Sequence, residues 1–277
     1  MALYRAMESE RPDALFRDPY ARKLAGERGE RIVASMRRGR AWAWPMIVRT
    51  AVLDELILRA IERDGVDTVL NLAAGLDTRP YRLPLPPALR WIEADFPDVI
   101  AYKQGQLNRE RPVCVLERVG IDLTDAGRRR ALFARIGTAA RQALVVSEGL
   151  LIYLTPPQVA ALASDLAAPA SFNWWLIDIA SPRLLKMMEK TWGRAVAAGS
   201  APFQFAPAEG SRFFQAQGCR KRNSARCGRS RSASSGRCGS PGCGTWLDGC
   251  IPKPSGRNSG GCPASSCSGE LDRKDRR

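Results

Sequence analysis

No segment of this chain restricts its fold more than VLNLAAGLDTR at residues 69–79. An apolar run over 66–72, broken by Asp67 and Thr68, leads into the small-residue turn Ala73-Ala74-Gly75 and then a polar loop. Such a run reads as a buried parallel strand. A turn almost without side chains lets a nucleotide-like ligand come close to the backbone. Twenty residues after Gly75, at the end of a second strand-like segment (89–95), stands Asp95. That spacing suits a carboxylate that accepts hydrogen bonds from ribose hydroxyls. Only one glycine stands where a dinucleotide fingerprint has three, and no Gly-Lys-Ser/Thr follows. The pattern fits a cofactor with a ribose but no phosphates; a tight strand–helix connection with no ligand reads equally well.

The following residues repeat the alternation. Further strand patterns fall at 118–121, 143–147 and 173–179, with helical patterns at 98–109, 126–136 and 158–166, the last opened by Thr155-Pro156-Pro157. Upstream, residues 4–39 have helical spacing with Asp18-Pro19 as a helix start, and a longer helix runs over 45–63 up to Gly65. Strands alternating with helices predict an α/β fold: a Rossmann-like, doubly wound, mostly parallel sheet. Ligands of such sheets bind beyond the carboxyl ends of the strands, where the strand order reverses. Gly75, Asp95, Asp122 and Glu148 each stand at or just past a predicted strand end, so they are expected around one crevice.

Four ordered motifs, NLAAGLDTRPYRL (71–83), WIEADFPDVIAYK (91–103), IDLTD (121–125) and SEGLLIYL (147–154), follow the helical segment WPMIVRT (44–50). Together they resemble the leucine carboxyl methyltransferase-like family of S-adenosylmethionine-dependent methyltransferases, in its bacterial O-methyltransferase branch. The resemblance extends over about residues 4–218 and implies a class I methyltransferase domain over 1–218, with a helical N-terminal cap over about 1–64. It implies S-adenosyl-L-methionine as cofactor. Arg49 would hold the carboxylate of the methionyl part, a task suited to a bidentate guanidinium; a solvated helix arginine is the alternative. Ala73, where the family often has glycine, and Gly75 would bring backbone to the amino-acid moiety, and Asp77-Thr78-Arg79 would serve positioning and local structure. Asp95 would bind the ribose, with a cap before Pro97 as the alternative and Glu93, on the same strand face, as a competitor. Asp122 would accept from the adenine amine while Leu123 packs on the ring, or else Asp122 caps the strand end. Glu148 would stand against the cofactor near the reacting centre, or be an exposed loop acid. Tyr153 would shape the acceptor pocket, or be a core tyrosine.

Composition divides the chain near Gly218. Residues 219–277 hold 7 of the 8 cysteines, only three Leu/Ile/Val residues (Leu247, Ile251, Leu271), and 13 basic against 4 acidic residues, +9 of the overall +15. Such a segment buries too little apolar surface to offset the ordering of its backbone, so it is expected to be a disordered, basic, low-complexity tail. Its abrupt onset at about Cys219 favours an out-of-frame or misassembled end, with the family's C-terminal strands missing. The Arg/Ser/Gly stretch 226–232 also suits an RNA-binding arm, and the pairs Cys238/Cys243 and Cys262/Cys267 suit a four-cysteine zinc site. No apolar run approaches the roughly 20 residues a bilayer requires and no signal peptide is seen, so a cytoplasmic protein without membrane or nucleic-acid partners is expected.

Methyl transfer asks mainly that nucleophile, methyl and sulfur be aligned and water excluded. A carboxylate acceptor needs no general base, whereas an alcohol or phenol usually gains from one. The chain has no histidine, which removes the commonest base and most metal sites before Cys219. The expected activity is methyl transfer to a carboxyl or hydroxyl oxygen of a small molecule, with no catalytic base assigned and no metal. The competing readings are a cofactor-binding relic without activity and a basic RNA-associated protein acting through its tail.

Overall fold

A computed structural model describes residues 1–36, 39–198, 201–226 and 245–252. Helices α1 (Ala2–Ser9) and α2 (Ala21–Ser35) lead through a short 3₁₀ turn into α3 (Ala43–Asp64). Strands and helices then alternate: β1 (Thr68–Leu72), α4 (Arg79–Arg82), β2 (Arg90–Asp95), α5 (Pro97–Gln106), β3 (Val115–Gly120), α6 (Ala126–Ala139), β4 (Ala143–Ser147), α7 (Pro156–Ala167), β5 (Phe172–Ala180) and α8 (Pro182–Ala198). Strands β6 (Cys219–Arg226) and β7 (Thr245–Pro252) follow. Among the described residues the sheet order is β3-β2-β1-β4-β5-β7-β6. Strands β1 to β5 pair in parallel, and β7 is antiparallel to both β5 and β6.

Local chemistry accounts for most element ends. Helix α3 stops at Gly65, which takes the left-handed conformation (φ 68°, ψ 28°). Helix α7 opens on a capping box between Thr155 and Gln158, with Pro156 in the first turn. Strands β1 and β4 are buried along their whole length, as central parallel strands covered on both faces must be. Leu70, Leu72, Ile92 and Val145 face Phe133 and Ile136 of α6 and Leu162 of α7. On the other face Val69, Trp91, Leu144 and Val146 pack against Leu53 and Ile57 of α3.

Three expectations change. Strand β3 begins at Val115, earlier than its apolar pattern suggests, because it is an open-sided strand whose Glu117 and Arg118 stay partly exposed. Asp18-Pro19 does precede α2, with Asp18 Oδ1 accepting from the N–H of the N-cap residue Tyr20 at 3.2 Å, but its Oδ2 is taken by Arg5 and the Thr78 hydroxyl. The C-terminal strands are not missing, and the tail is not without structure throughout. Residues 219–226 and 245–252 form β6 and β7, with β7 in register along β5 from Trp175↔Cys250 to Ala180↔Thr245. A segment with few aliphatic residues carries the same backbone donors and acceptors as an apolar one, and the free edge of β5 offers a ladder for them. The Arg/Ser/Gly stretch beyond Arg226 and the proposed cysteine pairs lie outside the described residues.

The strand register sets up the site. Leu72 stands opposite Ala94 on one side and Ser147 on the other, and Ser147 opposite Ile177. The next residue on each strand, Ala73, Asp95, Glu148 and Asp178, therefore emerges in one row at the carboxyl edge. The row straddles β1 and β4, where the strand order reverses.

Candidate functional site

A cavity of about 170 Å³ lies in that row, lined among others by Arg49, Asn71, Ala73, Gly75, Asp77 and Glu148. Past Met1 and Leu76, which line both, it adjoins a more apolar groove of about 490 Å³ between α1, α2 and α5.

Arg49 is 7% exposed, so it is not a solvated helix arginine. Its Nε donates to Glu148 Oε1 at 3.0 Å and its Nη1 to Asp178 Oδ2 at 2.7 Å. Two carboxylates thus fix the plane of the guanidinium, and its Nη2 makes no hydrogen bond with any described residue. Gly149 lies beside the guanidinium in the left-handed conformation, at φ +68°, which favours glycine. The Gly149 N–H also donates to Asp178 Oδ1 at 2.7 Å.

Glu148 is no exposed loop acid either. Its second oxygen lies 2.9 Å from Arg79 Nη2, an ion pair set off the hydrogen-bond direction. Burial opposes ionisation of Glu148, but the charges of Arg79 and Arg49 outweigh it and hold the carboxyl below its ordinary value. Asp77 behaves likewise: burial resists the charge, and Arg79 foremost overcomes it. Asn71 Nδ2 adds a hydrogen bond to Asp77 at 2.7 Å. A depressed carboxylate contributes stability that is fully present above its unfolded value and is lost as pH falls through the folded one. The pair's contribution to thermal stability is therefore expected to be flat from pH 8 to pH 5. It should decline only below the ordinary values of 4.5 for Glu148 and 3.8 for Asp77. Melting temperatures of the Glu148→Gln and Asp77→Asn chains, measured across this range against the parent, check it. A parent-minus-variant difference that shrinks between pH 8 and 5 would contradict the assignment.

The loop after β1 is held open by strain and by Asp95. Ala73 has φ 51° and is the only non-glycine at positive φ among the described residues; an L-residue adopts this conformation at a cost of about 1–2 kcal/mol. Asp95 Oδ2 accepts from the Gly75 N–H at 2.6 Å, and its Oδ1 from the Phe96 N–H at 2.7 Å. Phe96, not Asp95, is the N-cap residue of α5. The competitor Glu93 is fully buried in the sheet and held by Lys103 (2.7 Å) and Arg118 (2.9 Å).

The structure does not bring every expected residue to this cavity. Asp95 and Tyr153 are not among its lining residues, and Asp122 and Leu123, beyond β3, also lie outside it. Asp122 accepts from the Thr124 N–H and hydroxyl, and those bonds lower its pKa. Leu123 packs partly buried against the core. Tyr153 is 38% exposed, hence no core tyrosine. Its ring stands 5.7 Å from Phe203, close enough to Arg49 and Asp178 to feel their charges, and desolvation raises its phenol above the ordinary value. Asp178 and Asp54 were not singled out as site residues from the sequence; an acid in the apolar run WWLIDIA is the signal that marks Asp178. Among the described residues no group of histidine, cysteine or acidic side chains is placed to hold a metal, and no helix is long and apolar enough to cross a membrane.

A five-strand parallel core, β7 antiparallel between β5 and β6, and a crevice at the β1/β4 reversal define a Rossmann-like methyltransferase fold. The chain is similar to a DUF574-family protein of Streptomyces avermitilis MA-4680, with TM-score 0.64 and 14% identity over 91% of this chain and 97% of that one. It is also similar to magnesium protoporphyrin IX methyltransferase of Synechocystis PCC 6803, solved with SAH, with TM-score 0.50 and 14% identity over 82% and 94% of the two chains. The leucine carboxyl methyltransferase profile matches residues 1–167. This chain belongs to that family, whose members use S-adenosylmethionine. A Streptomyces coelicolor protein named as an S-adenosyl-L-methionine-dependent methyltransferase is 39% identical over 60% of this chain and 62% of its own length. A Frankia alni protein so named is 32% identical over 78% of this chain and 82% of its own. The chain thus spans about 62% of the first relative.

Proposed function

We propose that this chain transfers a methyl group from S-adenosylmethionine to a carboxyl or hydroxyl oxygen of a small molecule. The observation that carries the reading is Arg49: two partly buried carboxylates orient it, and its Nη2 has no hydrogen-bond partner among the described residues beside a strained, small-residue loop. That edge suits the carboxylate of an amino acid. Glu148 and Asp178 flank it and suit the ammonium group. A cavity of about 170 Å³ is smaller than the roughly 300–1,000 Å³ of whole-ligand sites, so it matches the amino-acid end, with the adenosyl part lying out along Asp95.

When bound, the cofactor supplies a sulfonium methyl that an oxygen attacks in line as the carbon–sulfur bond breaks. The residues of the chain bind and orient. Arg49 fixes the amino-acid end, Ala73 and Gly75 bring backbone alongside, and Asp95 positions the ribose. Asp122 and Leu123 serve the adenine, and Tyr153 with Phe203 borders the acceptor. No side chain at the crevice is assigned as a base. Glu148 is held ionised between two arginines, and the phenol of Tyr153 is pushed upward, which favours an acceptor that arrives as an anion.

Calorimetric titration of S-adenosylhomocysteine into the full chain is expected to show a single site of micromolar affinity. A folded chain that takes up no S-adenosylhomocysteine would refute the reading.

A further inference from the structure

Arg79 is 1% exposed and meets three carboxylates with its three nitrogens. Nε lies 2.6 Å from Asp54 Oδ1, Nη1 2.9 Å from Asp77 Oδ2 and Nη2 2.9 Å from Glu148 Oε2. Asp54 is held in turn by two hydrogen bonds from Arg82, at 2.6 and 2.9 Å. Glu148 is the only one of the three that also pairs with Arg49, at 3.0 Å. A line of alternating charge therefore runs from Arg82 through Asp54, Arg79 and Glu148 to Arg49. Two hydrogen-bonded carboxylates, Asp54 and Asp77, fix the plane of the fork as a lysine could not be fixed, and so set Nη2 beside Glu148 as an ion pair. Without Arg79, Glu148 would face a single cation and follow it, and the direction of Arg49 Nη2 would be lost.

We propose that Arg79 is a positioning residue: by holding Glu148 from behind it aims Arg49, so that the crevice selects adenosyl ligands bearing an α-amino acid over those that end at the thioether. The inference rests on the cofactor reading above. It assigns Arg79 no contact with any ligand.

The test titrates the full chain with S-adenosylhomocysteine and with 5′-methylthioadenosine, which shares the adenosine and thioether but lacks the amino acid. The parent chain prefers S-adenosylhomocysteine. Arg79→Lys lowers that preference about tenfold, the scale of one charge-assisted hydrogen bond, with methylthioadenosine affinity unchanged. Glu148→Gln does the same, and the double variant loses no more than either single one, as residues acting in one line must. A merely structural role for Arg79 would weaken both ligands together, and that result overturns the proposal. Should Arg79→Lys not fold, Arg79→Gln is titrated in its place, and an undiminished preference there overturns the proposal; an undiminished preference in Glu148→Gln refutes the line through Glu148. A parent chain that binds both ligands equally refutes the inference while leaving a nucleoside site standing. A parent chain that binds neither overturns the cofactor reading and this inference with it.

Discussion

Replacing Arg49 by alanine is expected to weaken S-adenosylhomocysteine binding at least about 100-fold and to destabilise the chain by about 3–5 kcal/mol. Both effects have one origin. Arg49 is the shared partner of Glu148 and Asp178, whose side chains are 16% and 9% exposed. Its removal leaves Asp178 with the Gly149 N–H and Glu148 with Arg79 alone. Breaking a buried pair costs far more than the pair contributes when intact, because a desolvated charge remains. At roughly 2–4 °C per kcal/mol for a chain of this size, the melting temperature should fall by about 10 °C. Arg49→Lys restores the charge but not the fork, and should recover stability more than affinity. Calorimetric titration and thermal unfolding on the same samples separate the two. A variant that melts early yet binds normally would remove Arg49 from the site and leave it a structural role.

The Asp95→Ala chain should show the second large effect, a loss of at least about 100-fold in S-adenosylhomocysteine affinity. Two hydrogen bonds to ribose hydroxyls would go, each worth about 1.5–3 kcal/mol to a charged acceptor. The variant would also release the Gly75 and Phe96 N–H groups, and with them the shape of the loop that carries the strained Ala73. Asp95→Asn keeps one acceptor oxygen and should lose less. Glu93→Gln is the contrasting control: it weakens the contacts with buried Lys103 and with Arg118, so it should lower the melting temperature with little change in affinity. If the two variants traded effects, the ribose role would belong to Glu93.

Much of this site was legible before any coordinates. The turn after β1 announces itself by residue size, and Asp95 by its distance from Gly75, because a strand–helix–strand unit has a nearly fixed length. Glu148 stands out as an acid ending a run of Ala143, Leu144, Val145 and Val146. What could not be read was the state of these groups. Arg49 and Glu148 are 99 residues apart and Arg49 and Asp178 are 129 apart, and no local pattern encodes an ion pair across such distances. Asp18 shows the same limit from the other side: beside Pro19 it reads as a helix start and does precede α2, but nothing local announces its ties to Arg5 and Thr78.

The sequence by itself determined the alternation of strands and helices, the parallel core and the edge at which a ligand would be met. These follow from hydrophobic period, glycine and proline placement, and spacing, all of which act over a few residues. Tertiary structure alone decided that Arg49, Arg79, Glu148 and Asp178 close into one charged network. It also decided that Asp122 accepts from the Thr124 N–H and hydroxyl, and that a polar tail adds β6 and β7 to the free edge of β5. Each of those outcomes depends on strand register and on charges brought together out of water. There the energy of a pair is set by what else is buried beside it, not by its neighbours along the chain.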